Sequence, residues 1–245
     1  MNKLWVIAVK DVGEAFSSRS IYAFLLIMVV VSFSYISVYN RAVKSLTNPQ
    51  AIAEISRTFL SSLAYVLPLM YSIMLCSIFA NYSVVLDKAK RNIESLMATP
   101  VSINQIWIGK SLAVALPSVA VGLSISVVAY VIMNFGFVIP KTGSFVFPDA
   151  PAIVSALVIV PVLAFSVVTV VIYIQLIITN PRIASIVFTV IYVSLILGIN
   201  ALGGMGVSIN FFPLMYLGII VFCAAVSFVL SFSLTKEKVL LSSRA

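Results

Sequence analysis

AIVSALVIVPVLAFSVVTVVIYIQLIIT, running from Ala152 to Thr179, contains no Asp, Glu, Lys or Arg. A helix rises about 1.5 Å per residue, and about 20 apolar residues cross a hydrocarbon core of roughly 30 Å, so this stretch can span a bilayer with length to spare. Pro161 marks where it would bend. Five further runs have the same character, at about Ser20 to Tyr39, Thr58 to Tyr82, Ser111 to Phe135, Ile183 to Asn200 and Phe212 to Leu234. Pro68 and Pro117 are bend points in the second and third. The fifth run is the shortest and ends in Asn200 and the flexible Gly203-Gly204, which gives it the weakest claim to a full crossing. The expected fold is all-α: a polytopic membrane protein of six transmembrane helices.

Composition agrees with that reading. Of 245 residues 62% are hydrophobic and 9% charged, and the mean hydropathy is +1.19; soluble domains are about half apolar and about a quarter charged. The spans leave no room for a soluble catalytic domain, so residues 1–245 read as one transmembrane domain. Fifteen Lys and Arg against seven Asp and Glu give a formal charge of +8. The basic residues lie between apolar runs, which points to orientation in the bilayer and not to a nucleic-acid partner. On six spans, one side carries Lys3, Lys10, Arg19, Lys88, Lys90, Arg91, Lys110, Arg182, Lys236, Lys238 and Arg244, and the other Arg41, Lys44, Arg57 and Lys141. Both termini are therefore expected in the cytoplasm, with the chain in the plasma membrane. The first long apolar run begins after Arg19 with no cleavage site behind a short apolar core, and reads as a retained span. Cys76 and Cys223 fall inside apolar runs, as small buried hydrophobes do.

Two segments outside the spans carry pattern. Residues 2–17 place Leu4, Trp5, Ala8, Val9, Val12, Ala15 and Phe16 on one helical face and Lys3, Lys10, Asp11, Glu14 and Ser17 on the other. This predicts an amphipathic helix in the membrane interface; the alternative is a surface helix packed on another part of the protein. Residues 86–110 form the longest polar connection, between the second and third spans. There Ile93, Leu96 and Met97 share a helical face, Pro100 ends the helix near Thr99, and Val101 to Lys110 forms a second short helix with Ile103, Ile106 and Trp107 on its apolar side.

The chain lacks histidine altogether, which excludes His-based catalytic dyads, triads and metal sites. Asp11, Asp87 and Asp149 all fall in segments predicted outside the membrane, which speaks against an intramembrane aspartyl hydrolase. Gly109-Lys110-Ser111 resembles the end of a phosphate-binding loop, but Asn104 stands where that pattern needs glycine, and no strand precedes it. Lys110 reads instead as an interfacial anchor. No enzyme activity, metal or cofactor is expected in this chain. The neutral polar residues within the runs, Asn134, Tyr173, Gln175 and Asn200, either join helices by hydrogen bonds or line a path. Ion-coupled carriers usually keep ionisable residues in the membrane, and these spans keep none.

Asn92-Ile-Glu-Ser-Leu-Met-Ala-Thr-Pro-Val-Ser102, followed by Ile108-Gly-Lys110, resembles a segment of the ABC-2 type permease subunits of ABC transporters. Glu94, Leu96, Met97, Ala98, Thr99, Pro100, Val101, Ser102, Gly109 and Lys110 match that family's pattern, and the order of interfacial helix and spans matches over nearly the whole chain. The resemblance implies that this is a coupling helix docking on a separate ATP-binding subunit, with Ile93, Glu94, Leu96, Met97, Thr99 and Pro100 at the contact. It implies ATP and Mg²⁺ in that partner, a second permease copy or paralogue, and transport, more often export than import. Arg91 and Asn92 depart from the Gly-Thr of many relatives, and the connection from Ala201 to Phe211 is short for their re-entrant helices. The alternative is a secondary carrier or small channel with no ATPase; a non-transporting membrane scaffold is the third reading.

Overall fold

A computed structural model describes residues 19–44, 48–89, 94, 101–178, 186, 190, 193, 194, 211–235 and 237–239. The predicted interfacial helix 2–17 lies outside the described residues. Of the fifth predicted span only residues 186, 190, 193 and 194 are described, each of them helical. No strand occurs among the described residues.

The helices are α1 (Arg19–Val43), α2 (Pro49–Ala80), α3 (Leu86–Ala89), α4 (Ile103–Met133), α5 (Ile139–Thr142), α6 (Ala150–Val154), α7 (Val160–Ile177) and α8 (Phe212–Ser233). Three π-turns, Asn81–Val85, Asn134–Val138 and Ser155–Ile159, splice α2 to α3, α4 to α5 and α6 to α7. Four of the resulting rods, Gln50–Val85, Ile103–Thr142, Ala150–Ile177 and Phe212–Ser233, are long and apolar enough to cross a membrane. The chain is therefore built as a membrane protein with several spanning helices.

Prolines explain two of the π-turns. A proline inside a helix has no N–H to give and presses its ring on the carbonyl four residues back. Pro140 and Pro161 each stand two residues past the end of a π-turn, and the wider turn makes room at Gly136 and Leu157. Pro68 and Pro117 stand inside α2 and α4, which continue as α-helix through them. The bend expected at Pro161 is thus a π-turn placed just before it.

α2 is the central helix, packed on α1, α4, α6 and α7. Its spanning stretch is 72% buried, whereas that of α8 is 6% buried. α8 touches α7 along one strip and turns Leu217, Val221, Phe222, Phe228 and Val229 outward. In water such a face would be a liability; against acyl chains it costs nothing. α2 and α4 approach closely at Gly122, where a Cβ would stand 2.6 Å from Ser72 Oγ and 2.8 Å from Ser72 N. Ser126, one turn on, returns its hydroxyl to the Gly122 carbonyl at 2.7 Å. Small residues four apart are how membrane helices bring their backbones together without a hydrophobic driving force.

Candidate functional site

The polar connection between α2 and α4 is closed at its root. Ser102 caps α4: its Oγ accepts from Gln105 N at 3.3 Å, while Gln105 Oε1 accepts from Ser102 N at 3.2 Å. This capping box starts the helix at Ile103, so the short helix expected over Val101 to Lys110 and leading into the third span is continuous with it, Ile103–Lys110 being the first turns of α4. Ile106 and Trp107 on its apolar side are buried. Two turns in, Lys110 Nζ donates to Asp87 Oδ2 at 2.6 Å and to the carbonyl of Ser83. Both charged side chains are buried, at 0% and 6% exposure. Lys110 is thus the interior half of an ion pair and not the interfacial anchor expected of it. The Ser83 carbonyl belongs to the π-turn Asn81–Val85, which has no proline to explain it. A widened turn that offers a carbonyl to an ammonium is the local account of that irregularity.

Lys88 makes a second closure. Its Nζ donates to the carbonyls of Leu176 and Ile178, each at 2.8 Å, at the C-terminal end of α7. The last carbonyls of a helix lack intrahelical donors and carry the negative end of its dipole, so an ammonium there is doubly suited. Burial lowers the Lys88 pKa to about 8. Trp107 adds a third tie, donating Nε1–H to the Thr169 carbonyl at 2.8 Å and meeting the Tyr173 ring edge-on at a centroid distance of 5.8 Å. The Tyr173 hydroxyl in turn pairs with Ser233 on α8. The two ends of residues 86–110 are therefore fastened to each other and to α7, and through Tyr173 to α8.

At the far end of the bundle Asp149 accepts from Arg57 Nε at 2.7 Å and from Ser61 Oγ at 3.0 Å, and Lys141 Nζ donates to Asn40 at 2.9 Å. The segments assigned by their charges to one side thus share one end, and Lys88 and Lys110 share the other.

The predicted site residues fare differently. Ile93, Leu96, Met97, Thr99 and Pro100 lie outside the described residues, and Glu94 is helical and half-buried. Asn200 also lies outside them. Asn134 is committed to the chain itself: its Oδ1 accepts from Val146 N at 3.1 Å, and its Nδ2 donates to the Tyr130 carbonyl at 3.4 Å. Tyr173 is a helix-joining residue, as described. Gln175 stands apart, 2% exposed with neither Oε1 nor Nε2 bonded among the described residues. A buried amide left unpaired costs about 1–3 kcal/mol and asks for a reason.

Sequence reading missed the Asp87–Lys110 pair because it placed both residues outside the spans. The spacing of two opposite charges at the two ends of one polar connection was the available signal. Gly109-Lys110-Ser111 lies inside α4, where its backbone N–H groups serve the helix and cannot cradle a phosphate. No group of three or more His, Cys, Asp or Glu among the described residues is placed to hold a metal ion. Comparison of the chain with protein-family models, curated proteins and solved structures gives no match.

Proposed function

We propose that this chain is the membrane-spanning permease subunit of an ATP-driven transporter of the ABC-2 type, acting as an exporter. A separate ATP-binding subunit would dock on the coupling segment and bind ATP and Mg²⁺, and a second copy or a paralogue would complete the path. The observation that carries this reading is the closure of residues 86–110 at their root. A docking segment passes on a displacement only if both its ends are held stiffly. Here Asp87–Lys110 ties α3 to α4, Lys88 ties α3 to α7, and Trp107 ties α4 to α7. A push on the intervening residues would move three helices together. The motif in residues 92–102 supports the same reading.

The experiment is coexpression with a Walker-type ATPase, sought first in the reading frames adjacent to that of this chain. Recovery of a complex whose ATP hydrolysis drives transport supports the proposal; a chain that never retains the ATPase counts against it. The buried ion pair also favours one competing reading, a gradient-driven carrier that works through the Asp87–Lys110 pair. That reading expects proton-driven flux by the chain alone, abolished by Asp87→Asn. The permease reading expects none from the lone chain.

A further inference from the structure

A half-open cleft of about 210 Å³ lies between α2, α4 and the α6–α7 rod, lined by Ala64, Pro68, Val127, Tyr130, Ala156 and Leu157 among others. It exceeds the roughly 150 Å³ at which an apolar cavity already stays dry and accepts a benzene-sized guest. Its wall offers almost nothing polar. The Tyr130 hydroxyl is spent on the Val146 carbonyl, and the Ser126 hydroxyl on the Gly122 carbonyl. A sugar, peptide or ion would lose its hydration here without replacement, whereas a hydrocarbon chain loses nothing. The mouth is apolar as well, since Val127 and Leu157 are each more than half exposed.

The cleft also has a polar end. Arg57 stands seven residues before Ala64 on α2, on the same face and about 10 Å along the axis. Pro148, which lines the cleft, precedes Asp149, the partner of Arg57. Asp149 takes only Nε of the guanidinium, and the Arg57 side chain is 63% exposed. The remaining fork of N–H donors suits an anionic, multi-oxygen group such as a phosphodiester. Apolar volume below and unspent guanidinium donors above match the two parts of one molecule.

We infer that this cleft binds an anionic phospholipid, one acyl chain lying between α2, α4 and the N-terminal part of the α6–α7 rod and the phosphodiester on Arg57. The inference needs no ATPase partner, because lipid binding would be a property of this chain alone. It and the proposed function therefore fail separately.

The test uses the full chain in nanodiscs of dioleoylphosphatidylcholine doped with phosphatidylglycerol or phosphatidylcholine carrying the same photoactivatable diazirine acyl chain. Adducts are mapped by mass spectrometry. Phosphatidylglycerol should label the Leu63–Pro68, Leu123–Tyr130 and Ile153–Leu157 stretches about fivefold more than phosphatidylcholine does, the preference of one basic residue for an anionic headgroup. Val127→Trp and Leu157→Trp, placed at exposed positions so that the fold survives, should reduce that labelling severalfold. Arg57→Gln should erase the headgroup preference and Arg57→Lys should keep most of it. Labelling no stronger than on the outward face of α8, equal labelling by both lipids, or indifference to the tryptophans would overturn the inference. So would adducts between two copies of the chain at these positions, which would place protein in the cleft.

Discussion

Asp87 and Lys110, twenty-three positions apart, meet at 2.6 Å in the interior of the helix bundle and close the polar connection between its two longest rods into a loop. Burying two charges is expensive, and their attraction offsets that cost only when geometry and extra hydrogen bonds are good. The Ser83 carbonyl supplies one such bond to the ammonium. The pair is therefore better understood as a device that fixes the register of α3 against α4 than as a source of net stability.

That distinction can be measured. Asp87→Asn or Lys110→Met alone strands a buried charge and should destabilise the chain by about 3–5 kcal/mol, whereas Asp87→Leu combined with Lys110→Met should recover most of the loss. Unfolding midpoints of the purified chain in one detergent give the cycle. The double variant should stay folded yet couple poorly to an ATPase. Additive losses would mean that the two residues act independently.

The pH behaviour of Lys88 has a definite sign. Its amine titrates near 8 in the fold and near 10.5 when exposed. Below 8 both states hold the proton and the cost of the buried charge is felt in full. Between those values the unfolded chain binds more protons, so stability should rise with pH from about 8 and level off above about 10.5. The difference in unfolding midpoint between the native chain and Lys88→Gln, followed across this range, isolates the effect. A difference that stays flat with pH would contradict it.

Gly122→Ala tests the close crossing of α2 and α4. The added methyl would meet Ser72 backbone as well as its hydroxyl, so it cannot be absorbed by a rotamer change alone. A loss of about 1–3 kcal/mol is expected, the usual cost of overpacking. Ser72→Ala in the same background should give back only part of it, since Ser72 N remains in the way. Thermal midpoints of the two variants decide this.

Gln175→Leu should raise stability by about 1–3 kcal/mol, because it removes a buried amide with no partner among the described residues. If Gln175 lines a path or bonds only in another state of the transport cycle, the same variant loses transport while gaining stability. Equal transport by the variant would make Gln175 a packing residue.

The apolar runs made most of the architecture readable in the chain. Hydropathy and length give α2, α4, the α6–α7 rod and α8, and alternation of the apolar runs puts Arg57 and Lys141 at one end and Lys88 and Lys110 at the other, as the contacts do. Periodicity cannot show how far a polar group is drawn inward. A lysine at the edge of an apolar run has the same signature whether it snorkels to the interface or turns in to an aspartate, and Lys110 does the second. The π-turns were equally out of reach, since Pro161 announces a bend but not a widened turn ahead of it. The unpaired amide of Gln175 is a fact of packing that composition does not encode.

The proposed function has residues 86–110 carry force from an ATPase into the helices that hold their ends. By their spacing in the sequence Ile93, Leu96 and Met97 are expected to share an apolar helical face, and truncating buried anchors of a small docking site costs about 2 kcal/mol or more in binding. The decisive measurement is recovery of the ATPase with the chain, together with transport-coupled ATP turnover, for Leu96→Ala combined with Met97→Ala in one lipid composition. The expected result is a chain that inserts normally, retains far less ATPase and no longer couples hydrolysis to transport. Full recovery of the complex with unchanged coupled turnover would contradict it.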